Sequence, residues 1–104
     1  MTSPVRSYVV DGVATLTMDR PDALNALDVA MKNALRDALA TVAADPGVRA
    51  VVLTGSGRAF SVGQDLREHA ANLETRPLES VWATVAEHFT PIATTLATMP
   101  KPVI

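Results

Sequence analysis

Thr54-Gly55-Ser56-Gly57-Arg58-Ala59-Phe60-Ser61-Val62-Gly63-Gln64-Asp65-Leu66 joins two regular elements through a run of small residues. It follows the apolar run Ala50-Val51-Val52-Leu53 and leads into a segment opened by Asp65, a residue type that caps helices. A buried strand, a loop of small residues and a helix start make a junction whose first backbone N–H groups have no intrahelical acceptor. The helix dipole favours negative charge there, so such donors can stabilise an anion or a developing oxyanion. Gly63 would let a ligand approach the backbone closely. From spacing alone, a glycine-containing turn with no ligand stays an open alternative. A nucleotide site is weaker still. Gly55 and Gly57 begin a G-x-G, but Ala59 and Phe60 stand where a third glycine is needed, and there is no Gly-Lys-Ser/Thr ending.

Upstream, Val5–Val10 and Val13–Met18 are β-rich runs separated by Asp11-Gly12, a tight-hairpin dipeptide. Arg20-Pro21-Asp22 breaks that pattern, since proline cannot donate to a strand ladder. Asp28 is the expected N-cap of a helix reaching about Ala44, with Met31, Leu35, Leu39 and Val42 as its apolar stripe and Ala34 and Ala38 beside them. Lys32, Arg36 and Asp37 fall outside that stripe. Asp45-Pro46-Gly47 ends the helix. The run from Ala50 to Leu53 is expected to be a strand buried on both faces. A hairpin, a helix and a buried strand in succession imply a right-handed crossover in a layered α/β arrangement.

Downstream, a short helix starts at Asp65, and Arg76-Pro77 opens a longer one. Its apolar side would carry Leu78, Val81, Trp82, Val85, Phe89, Ile92 and Leu96, with Pro91 kinking or splitting it. Trp82 is expected in the core. Met99-Pro100-Lys101-Pro102 is a turn or link, and Val103-Ile104 begins a further strand. A strand led in this way should run several residues more, so the functional polypeptide is expected to continue beyond Ile104.

Composition narrows the function classes. The 104 residues suit a single domain, and 48% hydrophobic content excludes a disordered chain. A net charge of -2 without a basic block argues against nucleic acid or an anionic membrane as partner. No run approaches the ~18 apolar residues of a membrane span, and the first residues lack signal-peptide features. Without cysteine there is no disulfide framework and no thiolate metal site. A cytoplasmic protein is the simplest expectation.

Arg20-Pro21, Asn25-Ala26-Leu27, Val48 through Gly55, Gly57-Arg58-Ala59-Phe60, Gly63-Gln64-Asp65-Leu66 and the closing Met99 through Ile104 together resemble the enoyl-CoA hydratase/isomerase (crotonase) family. The pieces recur in the family's order and spacing over nearly the whole chain. The resemblance implies an α/β fold, the N-terminal part of a crotonase-like spiral of ββα units, with residues 1–104 stopping short of the second oxyanion-hole motif. It also implies an enzyme of acyl-CoA thioesters, most naturally an enoyl-CoA hydratase or isomerase of fatty-acid or aromatic-acid degradation, assembled as a homotrimer or hexamer. The alternative within the same fold is a non-catalytic CoA-ligand binder or assembly module.

By the same matching, the backbone N–H of Gln64 would be one of two oxyanion donors. Many relatives carry a small residue there, and Gln64 resembles the variant of phenylacetate-degradation isomerases. Asp22, Ala23 and Leu24 would line the adenine pocket, with Val62, Asp65 and Leu66 along the pantetheine arm. Arg67 could reach a CoA phosphate or stand as a solvated cation. Asp65 would serve as a helix cap and Asn25 would bond the loop backbone. No metal or separate cofactor is implied, because CoA is part of the substrate. The family's second donor and its acid/base carboxylates have no counterpart here, so these residues alone are expected to catalyse nothing.

Other reactive residue types carry less. His69 and His88 have no metal-ligand spacing, and each is expected to be a surface or helix-face histidine. Ser56 and Ser61 are not in a nucleophile elbow. Glu68, Glu74, Glu79 and Glu87 read as solvated charges, with only Glu68 near the proposed pocket.

Overall fold

In the computed structural model, which describes residues 3–104, β1 (Val5–Val10) and β2 (Val13–Met18) pair antiparallel from Val5↔Met18 to Val10↔Val13. Asp11 and Gly12 join them with φ of 50° and 80°, both in the left-handed region that a two-residue hairpin turn uses. β3 (Ala50–Gly55) then pairs parallel to β2, from Val13↔Ala50 to Met18↔Gly55, giving the sheet order β1-β2-β3. A parallel return needs a crossover, and α1 (Val29–Ala44) supplies it.

The Asp28 carboxylate caps α1 by accepting the Met31 N–H at 2.8 Å. The helix stops at Asp45, whose extended backbone leads into Pro46 and Gly47. Met31, Leu35, Leu39 and Val42 are all buried, as their spacing predicts. They pack on Ala14, Leu16 and Met18, which alternate along β2 with the half-buried Thr15 and Thr17. Ile92 and Met99 close the same core.

That core lies on one face of the sheet, and this corrects the expectation for β3. Val51 is fully buried, but the rest of β3 is only half-buried. A continuous apolar run signals two covered faces, and among the described residues one helical layer covers one face. The chain end does extend the sheet beside β3. Val103 bridges Val51 in parallel, with the Leu53 N–H donating to the Ile104 carbonyl at 2.8 Å.

The expected long second helix is divided. After α2 (Leu66–Thr75) come α3 (Leu78–Thr84), one π-helical turn (Val85–Phe89) and α4 (Thr90–Thr98). Pro91 is the cause: it has no N–H for the carbonyl four residues back, and its ring crowds that position. The Glu87 carbonyl, so released, accepts from Arg36 Nη1 at 3.0 Å. Val81, His88 and Ile92 are buried, whereas Leu78, Trp82 and Val85 are exposed. Trp82 is therefore not a core residue; its ring meets His69 edge-on, centroids 5.5 Å apart. No helix among the described residues is long and apolar enough to cross a membrane.

Candidate functional site

Residues 55–64 are held in place by Asn25, which is fully buried with φ of 55°. Its side chain accepts the Arg20 N–H at 2.8 Å and donates to the carbonyls of Ser56 and Ala59, both at 2.9 Å. Only one amide orientation satisfies an N–H and two carbonyls at once, so the role expected of Asn25 is the one observed. Gly55 makes the close approach possible. A Cβ there would lie 2.2 Å from the Phe60 carbonyl oxygen and 2.7 Å from that of Ala59. Gly63 differs: a Cβ would meet nothing within 4 Å, and its φ of 93° is what requires glycine.

The loop then passes Leu27 as a parallel bridge to Gln64. The Leu27 N–H donates to the Gly63 carbonyl at 2.7 Å, and the Asp65 N–H donates to the Leu27 carbonyl at 3.1 Å. In a parallel bridge of this kind the residue between the two bonds turns its own N–H to the opposite side. The Gln64 N–H is thus directed away from Leu27, and no acceptor among the described residues takes it up.

Gln64 lines a cleft of about 520 Å³. Asp22, Ala23 and Leu24 form one wall; Val62, Asp65, Leu66 and Arg67 form the other. Every residue singled out from the sequence for substrate contact therefore faces this one cleft. Val62, Leu66 and Arg67 are exposed, so the cleft offers an open apolar edge beside a cation.

Arg20 and Ala26 also line the cleft, and sequence reasoning missed them as site residues. In the sequence Arg20 stands out as part of a strand break and of the family resemblance, with no role at the site. Its Nη1 donates to the Ala26 carbonyl at 2.6 Å and lies 3.1 Å from Asp65 Oδ2 and 3.5 Å from Asp28 Oδ2. One guanidinium thus joins the caps of α1 and α2. Asp65 accepts the Glu68 N–H at 3.0 Å, confirming it as a helix cap. That bond, reinforced by Arg20, holds its carboxyl below the ordinary value. Glu68 is half-buried rather than solvated, and both its oxygens accept the Val29 N–H, at 3.1 and 3.2 Å.

A second cavity, of about 370 Å³, lies on the other side of Gln64 and is lined by Lys32, Asn33, Glu68, Thr84 and His88 among others. Lys32, outside the apolar stripe of α1, is nevertheless only 1% exposed, and His88, of the two places expected for it, takes a helix face turned inward and is 5% exposed. Lys32 Nζ donates to Gln64 Oε1 at 3.0 Å and to Thr84 Oγ1 at 2.6 Å. Thr84 Oγ1 is 2.8 Å from His88 Nδ1, and His88 Nε2 is 2.9 Å from Asn33 Oδ1. Burial pushes the Lys32 ammonium below its ordinary value, against the opposing pull of Glu68, Asp28 and Asp65. Burial, then the Lys32 and Arg36 cations, likewise lower His88. No periodic signal marks this network, because directly bonded members lie up to 55 positions apart.

Among the described residues no group of three or more His, Asp or Glu side chains could hold a metal ion. The site instead offers an unpaired main-chain donor between an open cleft and a polar cavity, suited to a carbonyl oxygen gaining negative charge.

Comparison with known proteins gives this geometry a context. The family model described as enoyl-CoA hydratase/isomerase matches residues 9–104. The 1,2-epoxyphenylacetyl-CoA isomerase of Escherichia coli is 38% identical over 100 residues, covering 96% of this chain and 38% of that protein. A solved structure of an enoyl-CoA hydratase/isomerase family protein from Mycobacterium abscessus superposes with a TM-score of 0.89 at 44% identity, over 95% of this chain and 38% of the other. An enoyl-CoA hydratase of Mycobacterium smegmatis gives 0.82 at 38% identity, over 96% and 38%. The chain thus spans well under half the length of these relatives. A hairpin, crossover helix and parallel strand leading into the Gln64 loop, together with a match over nearly every residue, make this chain a member of the enoyl-CoA hydratase/isomerase family with the crotonase fold.

Proposed function

We propose that the whole protein acts on acyl-CoA thioesters by stabilising an enolate oxyanion, as an enoyl-CoA hydratase or isomerase of fatty-acid or aromatic-acid degradation. The carrying observation is the Gln64 N–H, unpaired among the described residues at the side of the cleft. A thioester carbonyl placed against it gains a hydrogen bond that strengthens as charge moves onto the oxygen. Such a donor lowers the barrier more than it stabilises the ground state. In this reading Asp22, Ala23 and Leu24 take the adenine, Val62, Asp65 and Leu66 flank the pantetheine arm, and Arg67 meets a phosphate. CoA enters as part of the substrate, with no separate cofactor. The second donor and the acid/base carboxylates come from elsewhere in the whole protein, which on this proposal is a cytoplasmic homotrimer or hexamer. The resemblance to a protein named 1,2-epoxyphenylacetyl-CoA isomerase supports the aromatic-acid branch.

The test is turnover of crotonyl-CoA and a panel of aromatic acyl-CoAs by the whole protein. Because the donor belongs to the main chain, Gln64→Ala, which keeps the N–H, is expected to lose no more than about tenfold in kcat. Gln64→Pro removes the N–H and is expected to cost about 3 kcal/mol, a hundredfold or more in kcat. Equal activity of the two variants refutes the donor. Binding of CoA without turnover of any substrate would instead assign the protein to non-catalytic ligand binding.

A further inference from the structure

We propose that Lys32 is a positioning residue for the site, fixing the main-chain N–H of residue 64 through the Gln64 side chain. The proposal rests on the oxyanion reading of that N–H. A buried ammonium is costly unless each of its three donors finds a partner. Lys32 meets that demand with Gln64 Oε1 at 3.0 Å, Thr84 Oγ1 at 2.6 Å and the face of the Phe89 ring, 4.9 Å from Nζ to centroid. The Gln64 carboxamide is held at its other end too, where Nε2 donates to the Asp65 carbonyl at 3.2 Å.

The rest of the network makes Lys32 a rigid support. With His88 neutral and protonated on Nε2, the chain runs in one direction. Lys32 donates to Thr84, the Thr84 hydroxyl donates to His88 Nδ1, and His88 Nε2–H donates to Asn33 Oδ1. Every buried polar side-chain atom among the described residues then has a partner. Lys32 and Asn33 belong to α1, Thr84 to α3, and His88 and Phe89 to the π turn. Residue 64 is therefore fixed on two sides. Its neighbours in the chain are bonded to Leu27, and its side chain is bonded to an ammonium tied into three helical segments. A dihedral change that swung the N–H would have to break one of these.

A Lys32 that served packing alone could be replaced by an apolar residue of similar length with little loss, since buried charges often contribute nothing net to stability. Lys32→Met and Gln64→Met in the whole protein, with Leu39→Ala as a core-destabilising control, separate the two roles. On the proposal each Met variant lowers kcat about tenfold while KM changes less than about twofold, because a misdirected donor costs transition-state binding. The double variant loses no more than either single one, since both remove the same contact. Leu39→Ala lowers the melting temperature and leaves kcat unchanged.

A readout independent of turnover is the ¹⁵N relaxation order parameter of the residue 64 amide. It is expected to fall from about 0.85 in the parent protein towards 0.6 in Lys32→Met. Unchanged kcat with an unchanged amide in Lys32→Met overturns the proposal, as do additive losses in the double variant. If the parent protein turns over no acyl-CoA, the oxyanion reading fails. The amide measurement then decides alone whether Lys32 fixes residue 64.

Discussion

Replacing Asn25 by alanine is expected to cost the protein about 4 kcal/mol, most of it through the loop that carries Gly63 and Gln64. The side chain is completely buried and makes three hydrogen bonds, one accepted from the Arg20 N–H and two donated to the Ser56 and Ala59 carbonyls. Each contributes about 1 kcal/mol net, and the half-buried Arg20 N–H left without an acceptor adds a further part of its desolvation cost. The backbone contributes separately. Asn25 has φ of 55°, a region that asparagine tolerates and that costs alanine about 1 kcal/mol. Urea unfolding of the whole protein measures the sum, with the slope checked to confirm that the transition keeps its cooperativity. Asn25→Asp sharpens the test. It keeps the acceptor for Arg20 and the tolerance of positive φ, but it sets a carboxylate against two carbonyl oxygens. It should be at least as damaging as alanine. A loss below about 1 kcal/mol for Asn25→Ala, or an aspartate milder than alanine, would refute the assignment of Nδ2 as the staple of this loop.

Two further outcomes are expected from the same geometry. Gly55→Ala forces a methyl to within 2.2 Å of the Phe60 carbonyl oxygen, so the loop must move; kcat/KM is expected to fall at least about tenfold, while Gly47→Ala, out at the surface, stays near the parent value. His88 gives a pH signature. Its folded-state value lies below 6.5, so between these values the unfolded chain binds more protons; stability complete above pH 6.5 is lost as pH falls below it, by at most about 1.4 kcal/mol per pH unit. Burial first, then Lys32 and Arg36, drive this against Glu87 and Glu68. The Asp65 contribution is lost only below 3.8, so unfolding between pH 6.5 and 5 isolates His88, and His88→Gln should flatten the slope there.

The parts of the fold governed by local rules are readable from the chain. Asp11-Gly12 has one favoured conformation, Asp28 and Asp65 cap the helices they open, and Met31, Leu35, Leu39 and Val42 recur at a helical period, so each stands where it is expected. The cleft residues are gathered by family likeness; nothing in their periodicity brings Asp22 to Leu66. Lys32 escapes because a pattern of polar and apolar letters counts lysine as solvent-facing. Its burial depends on Thr84, 52 positions away, and on Gln64, 32 positions away. Trp82 misleads in the opposite sense: it is apolar and close to helical spacing, yet the buried face runs through Val81, His88 and Ile92 and leaves it exposed.

Arg20 carries one last implication. Its guanidinium grips the carboxylates that begin α1 and α2, along with the Ala26 carbonyl between them. Two helix starts tethered to a single cation cannot fray independently, so the start of α2 that lines the cleft opens together with the start of α1 or not at all. A ligand that settles there meets a surface already ordered as a block, and little of its binding energy goes into organising the protein.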